Sequence, residues 1–249
     1  MQKTITAALI IIGNEILSGR TQDKNLAYLA EKLNAKGIRL MEVRVIPDVE
    51  PTIIDTVNAL RVAYDYVFTT GGIGPTHDDI TTAAIAKAFG VGLYRHPEAE
   101  AALRDAYKST DAINEARLKM ADVPVGASLV PCAATAAPGI HIGNVFIMAG
   151  VPRIMQSMLE TILPQLENGA VVMSLSITTN LPEGTIAAGL TEIQNRFPDV
   201  EIGSYPHYIE GGYQTTLVCR ATDASRNAAA ANEIRVLIAA AGGKEIAAT

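Results

Sequence analysis

The sequence is poor in the residues that mark several protein classes. It contains no tryptophan, and only 5% of its 249 residues are aromatic, so we expect a core of aliphatic side chains. Its two cysteines, Cys132 and Cys219, lie far apart without zinc-ligand spacing, and both are predicted to be buried thiols. No stretch approaches the roughly 18 consecutive apolar residues of a membrane span, and no signal-peptide pattern is present. The sequence therefore favours a cytoplasmic protein without membrane contact.

Basic residues are outnumbered by acidic ones. The formal net charge is −6, the isoelectric point is near 5.3, and no stripe of Lys or Arg is present. This pattern argues against nucleic acid as a partner, because nucleic-acid binding depends on clustered basic residues. A hydrophobic content of 49% is ample for a packed core. A chain of this length fits one large domain, or one medium domain followed by a small one.

Strand and helix patterns alternate through the first two thirds of the chain. Short apolar runs predict strands at 4–12, 41–46, 66–70, 128–130 and 144–148. Helix-spaced apolar residues predict helices at 25–36, 51–63, 81–89 and 153–166. The repeated β-α order predicts an α/β fold, in which helices cover both faces of a mostly parallel sheet.

The pattern changes after residue 168, where strands and helices follow in the order β-α-β-β-α. This order and its turn signals predict a small α+β unit with an antiparallel sheet. The predicted domains are therefore residues 1–168 and residues 169–249. Two polar helices, at 97–109 and 111–120, interrupt the first domain, and we expect them to form an exposed excursion or an oligomer contact.

The most informative stretch is residues 69–82, TTGGIGPTHDDITT, which lies between a predicted strand and a predicted helix. Its glycines let the backbone approach a ligand closely, and amides in such a turn at a helix N-terminus favour phosphate. The adjacent Asp78 and Asp79 would repel a bare phosphate unless a divalent cation lay between them. The turn therefore predicts a metal-assisted phosphate or pyrophosphate site. The alternative is that aspartate simply caps the helix here.

Two familiar nucleotide motifs do not fit this turn. His77 stands where a dinucleotide fingerprint needs its third glycine, and no Gly-Lys-Ser/Thr of a Walker A loop follows. In a parallel sheet, however, ligands bind beyond the carboxyl ends of the strands. Three polar turns are expected to converge there: Asn14 and Glu15 after the first strand, Asp48 after the second, and the Gly-rich turn after the third.

Four ordered motifs resemble those of the MoaB/Mog molybdopterin-binding family in its CinA-like form. They are residues 13–19, 47–48, 70–81, and 137–139 together with 150–152. The C-terminal part is also similar to the domain that follows this fold in CinA-like proteins and in eukaryotic FAD synthases. The resemblance thus covers nearly the whole chain.

The resemblance implies a three-layer α/β/α sandwich and a metal-dependent reaction. CinA-like and FAD-synthase-linked members are associated with cobalt-stimulated cleavage of ADP-ribose or FAD at the pyrophosphate. We therefore expect a pyrophosphatase that uses a divalent cation, Co, Mn or Mg. Other members bind molybdopterin, so the expected ligand is a small-molecule nucleotide or pterin. The resemblance also implies a homo-oligomer, either a dimer or a trimer.

Roles for individual residues follow from the motifs and the resemblance together. We expect catalysis from Asp79, Asp48 and Asp78. We expect the metal to be held by Asp79, Asp48 and Glu15. The residues expected to bind substrate or phosphate are Gly71, Gly72, Gly74, Thr76, Thr81, Gly13, Asn14, Glu15, Ser18, Asn25, Gly150 and Pro152.

Two other functions remain open at the level of sequence. One is a transferase that adenylylates a pterin with ATP, and the other is a module that binds pterin or nucleotide without turnover. The acidic cluster favours catalysis, because a simple phosphate binder would use Lys or Arg. The choice among ADP-ribose, FAD and pterin depends on pocket shape, which the sequence does not give.

Overall fold

The computed structural model describes residues 4–107, 113–209 and 212–246. The chain divides into two compact units, Met1–Ala170 and Val171–Thr249. Each unit has its own sheet and its own hydrophobic core. No helix in the described ranges has the length and hydropathy needed to cross a membrane.

The N-terminal unit alternates strands and helices. Its strands are β1 (Ile5–Ile12), β2 (Ile38–Ile46), β3 (Tyr66–Thr70), β4 (Leu93–Arg95), β5 (Asp122–Pro124), β6 (Ser128–Val130), β7 (Gly139–Ile142) and β8 (Val145–Met148). Its α-helices are α1 (Asn14–Leu17), α2 (Asn25–Ala35), α3 (Glu50–Ala63), α4 (Thr81–Ala88), α5 (Pro97–Tyr107), α6 (Glu115–Leu118) and α7 (Pro152–Ile162).

Six of these strands form one mixed sheet in the order β2-β1-β3-β8-β7-β6. The first four run parallel, whereas β7 and β6 pair antiparallel at one side. The mostly parallel sheet predicted from the sequence is therefore confirmed. Parallel order requires a crossover between neighbouring strands, and the helices provide these crossovers.

The alternating side chains of β1 supply the two larger cores of this unit. Leu9 and Ile11 pack with residues of α2 and α7, while Ile10 and Ile12 pack with residues of α3 and α4. None of the four is more than 4% exposed. Burial of each such side chain contributes roughly 1.5–3 kcal/mol. An almost wholly apolar strand therefore becomes the middle of a three-layer α/β/α sandwich, as predicted.

The carboxyl ends of β1, β3 and β8 meet where β3 ends. Gly71 has a φ of +99°, and a Cβ at this position would overlap the carbonyl oxygen of Ile12. A Cβ on Gly150 would lie 3.3 Å from the Cα of Gly71. Glycine at both positions lets the three backbones approach closely at the end of the sheet from which the polar turns emerge.

Residues 91–138 form an excursion that leaves the main sheet after α4 and rejoins it at the edge strand β6. Within it, β4 and β5 pair antiparallel, and Ala99, Leu103 and Ala121 form a small core of their own. This excursion contains the two polar helices predicted from the sequence.

The two helix predictions fare differently. The first corresponds to α5, with residues 108 and 109 lying outside the described residues. The second, at 111–120, is wrong in length, because α6 has four residues and is followed by a short 3-10 helix, Lys119–Ala121. Residues 111 and 112 of that prediction also lie outside the described residues.

The C-terminal unit is a βαββαβ arrangement. Its elements are β9 (Met173–Thr179), α8 (Glu183–Arg196), β10 (Glu201–Ile209), β11 (Gly212–Ala221), α9 (Ala224–Ala240) and β12 (Glu245–Ile246). The strand order is β10-β11-β9-β12, with every pair antiparallel. This is the split β-α-β topology of ferredoxin-like domains. Ile186 of α8 and Ile234 of α9 pack against Ile177 and Leu217 of the sheet.

The sequence prediction misses five short elements, α1, β4, β5, β7 and β12, each of four residues or fewer. A segment of this length shows little hydrophobic periodicity, and the equally short β6 and β8 are predicted from their apolar runs. The turn predicted at 137–139, for example, runs directly into β7.

The cysteines differ from each other. Cys219 is fully buried, as predicted. Cys132 is only partly buried in the loop after β6, so the prediction is wrong for this residue. Neither forms a disulfide.

We predict that Gly71→Ala destabilises the N-terminal unit by roughly 2–4 kcal/mol, because it combines backbone strain with overlap against Ile12. Gly90→Ala is the matched control. Gly90 also has a positive φ, +68°, but has open space around it, so only about 1–2 kcal/mol of backbone strain is expected. Chemical denaturation measures both values, and equal losses would show that the close approach of the strands has no energetic consequence.

A second prediction concerns an ion pair of the C-terminal unit. Arg226 donates from Nε to Oδ2 of Asp199 at 2.8 Å and from Nη2 to Oδ1 at 2.6 Å. These bonds lower the pKa of Asp199 from 3.8 to about 2. Because the folded-state pKa lies below that of the unfolded chain, the pair stabilises the folded unit above about pH 4 and this contribution is lost as pH falls towards 2.

We expect Arg226→Gln to return the pKa of Asp199 to near 3.8, as measured by NMR titration of the carboxyl carbon. The control is Arg235→Gln, which removes a different exposed ion pair, with Glu245. A pKa that stays near 2 in the Arg226 variant would rule out this cause.

Candidate functional site

A cleft of about 530 Å³ opens at the carboxyl ends of β1, β3 and β8. The Gly-rich turn after β3 forms one wall, and the segment 149–152 after β8 forms another. Side chains from α1, α7 and the excursion complete it. The residues that line it are Glu15, Thr21, Gly71, Gly72, Ile73, Gly74, Pro75, Asp79, Met120, Thr135, Ala137, Ala149, Gly150, Val151, Pro152, Ile154 and Met158.

The backbone of the Gly-rich turn lines this cleft and includes three consecutive amides without an acceptor among the described residues. The amides of Gly72, Ile73 and Gly74 donate to no group in the ranges that the structure describes. Gly72 has a φ of +68°, and a Cβ there would overlap the hydroxyl of Thr81. Consecutive amides without a protein acceptor form a site for an anion such as phosphate.

Asp79 is fixed in this turn by its neighbour. Its Oδ2 accepts hydrogen bonds from the amide of Thr76, at 2.8 Å, and from the hydroxyl of the same residue. A Cβ on Gly74 would lie 2.6 Å from Oδ2, so only glycine leaves room for the carboxylate. Neither hydrogen bond uses Oδ1, which leaves that oxygen for a ligand.

Glu15 brings a second carboxylate to the cleft from α1. Its side chain folds back over Gly13, where a Cβ would lie 2.5 Å from Oε1. A side chain at position 13 would therefore require the carboxylate of Glu15 to move. The structure therefore places Glu15 and Asp79, which come from different strand ends, on one cleft.

Asp48 and Asp78 do not line the cleft. Oδ2 of Asp48 accepts the amide of Asn14 at 2.9 Å, so this carboxylate holds the beginning of α1 in place. Asp78 is exposed, and its pKa is lowered first by the hydroxyl of Thr76 and then by its own backbone amide. That hydroxyl also bonds Asp79 and has a single hydrogen, so it serves one carboxylate at a time. His77 does not line the cleft either, and 97% of its side chain is exposed.

The donor set limits how a metal could bind. Within the described residues, no group of three or more His, Cys, Asp or Glu side chains could hold a metal ion. The predicted trio of Asp79, Asp48 and Glu15 is thus reduced to two carboxylates on the cleft. Two carboxylates still fit a cation such as Mg²⁺, which commonly takes one or two protein oxygens and completes its shell with water and substrate phosphate.

The electrostatics of the cleft are one-sided. Two carboxylates line it, and no Lys or Arg does so among the described residues. A pyrophosphate in this space would meet the negative charge of both carboxylates. Among the described residues, the cation that the structure ties to the Gly-rich turn is Lys119, which lines the adjoining pocket with Gly74 and Asp79. This lining favours a phosphate ligand that is accompanied by a divalent cation.

Asn25 holds one of the turns that line the cleft. It is 3% exposed, and its Nδ2 donates to the carbonyl of Gly150 at 2.8 Å, which fixes the turn after β8. Its Oδ1 and the hydroxyl of Thr70 have no partner within the described residues. Both residues line a small pocket of about 60 Å³ that also contains Glu15. The two buried oxygens are available there to water or to a ligand hydroxyl.

The other predicted binding residues divide into two groups. Gly71, Gly72, Gly74, Gly150 and Pro152 line the cleft together with the two carboxylates. The remaining predicted residues do not line the cleft and belong to the turns and helix ends next to it. They are Gly13, Asn14, Ser18, Thr76 and Thr81. The hydroxyl of Ser18, for example, bonds the carbonyl of Glu15 at 3.3 Å.

Several residues of the cleft are missed by the sequence analysis. Thr21, Met120 and Thr135 belong to no motif and lie far apart along the chain, so no local signal marks them. Met120 and Thr135 come from the excursion. Nζ of Lys119 donates to the carbonyl of Thr76 at 2.9 Å and ties the excursion to the Gly-rich turn.

Two family models match this chain. A probable molybdopterin binding domain matches residues 8–168. The middle domain of FAD synthase matches residues 171–242. Together the two models account for most of both units.

Curated relatives agree with these models. A protein of Archaeoglobus fulgidus is 37% identical over 198 residues, which are 80% of this chain and 84% of that protein. A probable FAD synthase of Caenorhabditis elegans is 30% identical over 264 residues, covering 96% of this chain. Only 51% of the nematode protein is covered, so the chain spans about half of its length.

A solved structure also resembles the N-terminal part of this chain. The crystal structure of the protein CinA, of unknown function, from Thermoplasma acidophilum superposes with a TM-score of 0.61 and 31% identity. The match covers 65% of this chain and 98% of that one. The chain therefore belongs to the family of probable molybdopterin binding domains of the MoaB/Mog type, in its CinA-like form, with an FAD synthase middle domain following it.

Proposed function

We propose that this chain is a divalent-metal-dependent pyrophosphatase that cleaves an ADP-linked nucleotide such as ADP-ribose or FAD. The observation that supports it best is the composition of the cleft. Two carboxylates and three unbonded amides face one space without a basic side chain. The amides suit a phosphate, and the carboxylates suit the cation that a phosphate would need there.

The residues of the cleft would divide the work between them. The amides of Gly72, Ile73 and Gly74 would hold the phosphate oxygens of the substrate. Glu15 and Oδ1 of Asp79 would hold the divalent cation, since hard cations prefer oxygen ligands. A bound cation would supply charge neutralisation and a more acidic water.

The reaction consumes one water per substrate. The oxygen of that water forms a bond to one phosphorus, and the bridging P–O bond breaks. The products are AMP and a second phosphomonoester, and the proton of the water passes to solvent or to a carboxylate of the cleft. No redox partner is required.

The comparisons support a nucleotide-related role in a general way. The second unit matches the middle domain of FAD synthase, and a relative is named a probable FAD synthase. These names concern proteins that act on a flavin nucleotide with a pyrophosphate link. They support, for this chain, a substrate of that chemical class.

A second candidate is binding or adenylylation of a pterin. Its support is the apolar part of the cleft, where Met120, Ile154 and Met158 offer a surface for a flat ring. The description of the matched family points to the same ligand. An adenylyltransferase would consume ATP and release pyrophosphate, so the two candidates give different products.

We predict that Asp79→Asn lowers the rate of AMP release from ADP-ribose or FAD by at least about 100-fold, because the cation loses one of two charged ligands. Asp78→Asn should change the rate far less, since that carboxylate does not line the cleft. Asp55→Asn, an exposed position on α3, controls for folding and expression. The measurement is AMP released with Co²⁺, Mn²⁺ or Mg²⁺, resolved by chromatography.

Absence of AMP release from both substrates with all three metals would overturn the pyrophosphatase. Formation of an adenylylated product from ATP and a pterin would then establish the transferase. Equal losses in the Asp78 and Asp79 variants would contradict the assignment of the site to the cleft.

We also predict different effects for the two remaining acidic positions. Glu15→Gln should raise the metal concentration that gives half-maximal activity by about 10–100-fold, because it removes a ligand charge. Asp48→Asn should leave that concentration nearly unchanged and lower thermal stability, because Asp48 holds the amide of Asn14. Metal titrations of both variants check this. A rise in the half-maximal metal concentration of the Asp48 variant would show that Asp48 is a third metal ligand.

A further inference from the structure

A second cleft, of about 600 Å³, lies in the N-terminal unit beside the first. It is bounded by α5, by β6 at the edge of the sheet, and by the loop 131–138 that follows β6. Nothing in the proposed chemistry of the first cleft uses it. Its volume is within the range of sites that bind a drug-sized group.

The loop 131–138 forms a shared boundary of the two clefts. Thr135 lines both of them. The hydroxyl of Thr135 accepts the amide of Ala137 at 3.3 Å, so its own hydrogen is free to donate to a ligand at the boundary.

Two contacts fix this loop to α7. The amide of Ala133 donates to the hydroxyl of Ser157 at 3.1 Å, and the thiol of Cys132 lies 3.8 Å from the carbonyl of Ile154. The boundary between the clefts is therefore part of the packed structure and is formed before any ligand binds.

The second cleft differs from the first in chemistry. Its walls are mostly small and apolar, with Ala99, Ala102, Ala127 and Ala136 among them. No Lys or Arg lines it among the described residues, and it lacks the unbonded glycine amides of the first cleft. Such a surface suits a flat, largely apolar group and offers little to a phosphate.

Polar side chains at this cleft can orient such a group. His96, Glu98 and Ser128 line it, and the last two are exposed. A heteroaromatic ring has donors and acceptors at its edge that match side chains of this kind.

We propose that the second cleft is a subsite for the second ring-bearing half of a pyrophosphate-linked dinucleotide. This inference rests on the proposed function and narrows its substrate class. One half and the pyrophosphate occupy the first cleft, the chain of the ligand crosses at Thr135, and the other ring lies against the alanines. FAD has two such halves, whereas the half of ADP-ribose beyond the pyrophosphate is a ribose without a ring base and leaves the second cleft empty. The structure thus favours a dinucleotide over ADP-ribose.

The test uses Cys132, which lines the second cleft and is partly exposed. Cys219 is an internal control, because it is fully buried and burial raises the pKa of its thiol. The rate of maleimide labelling is measured with FAD, ADP-ribose or AMP, each at a concentration shown by calorimetry to be saturating. Measurements in EDTA and with Mg²⁺ separate binding from turnover.

We expect FAD to slow labelling of Cys132 by at least about 5-fold, and ADP-ribose or AMP by less than about 2-fold, because only the dinucleotide covers the thiol. Equal protection by all three ligands, or bound FAD without protection, overturns the subsite. Failure of FAD to bind under either condition also overturns it, and AMP release from ADP-ribose in the same samples would show that the pyrophosphatase still stands. Protection by FAD without hydrolysis of any substrate would support the subsite and contradict the proposed pyrophosphatase.

A pair of variants on α5 gives an independent readout. Ala102 lines the second cleft, whereas the adjacent Ala101 does not, although both residues are exposed. Ala102→Trp should raise the KM for FAD by about 10-fold or more and leave the KM for ADP-ribose within about 2-fold, because only FAD needs the filled space. Ala101→Trp should change neither value. A parallel rise for both substrates, or no rise with FAD, contradicts the proposal.

Discussion

The close approach of three strand ends is the constraint on which the site depends. Gly71 lies against the carbonyl of Ile12 on one side and near Gly150 on the other, with no room for a Cβ. This contact holds the turns after β1, β3 and β8 around one cleft. Gly13 and Gly74 extend the same principle, since each leaves room for one of the two carboxylates. Glycine therefore shapes the site by the side chains it lacks.

The charge of the cleft follows from the same arrangement. Packing the strand ends together brings Glu15 and Asp79 to one space, and nothing basic accompanies them in the lining. A divalent cation would offset this negative charge towards a phosphate, because such a cation binds carboxylate and phosphate oxygens together. The electrostatic argument for a metal therefore comes from the protein's own residues.

The excursion gives the cleft its remaining walls. It packs on a small core of its own, and Lys119 ties it to the Gly-rich turn. Met120 and Thr135 reach the first cleft from this segment, and its α5 helix bounds the second. In α/β proteins the sheet positions the phosphate chemistry, while inserted segments are free to vary the shape around it. Substrate choice in this chain is accordingly expected to depend on the excursion.

The sequence by itself determined the layered α/β architecture, because almost wholly apolar strands such as β1 and helix-spaced segments leave few other ways to bury their side chains. It also located the Gly-rich turn and both cleft carboxylates, since these belong to contiguous motifs at strand ends. Only the tertiary structure decided that Asp48 supports α1 and stays outside the cleft, that α6 is a single turn, and that Thr135 lies between two clefts. Such facts depend on contacts between residues distant in the chain, and the hydrophobic periodicity of a sequence reports only local neighbours.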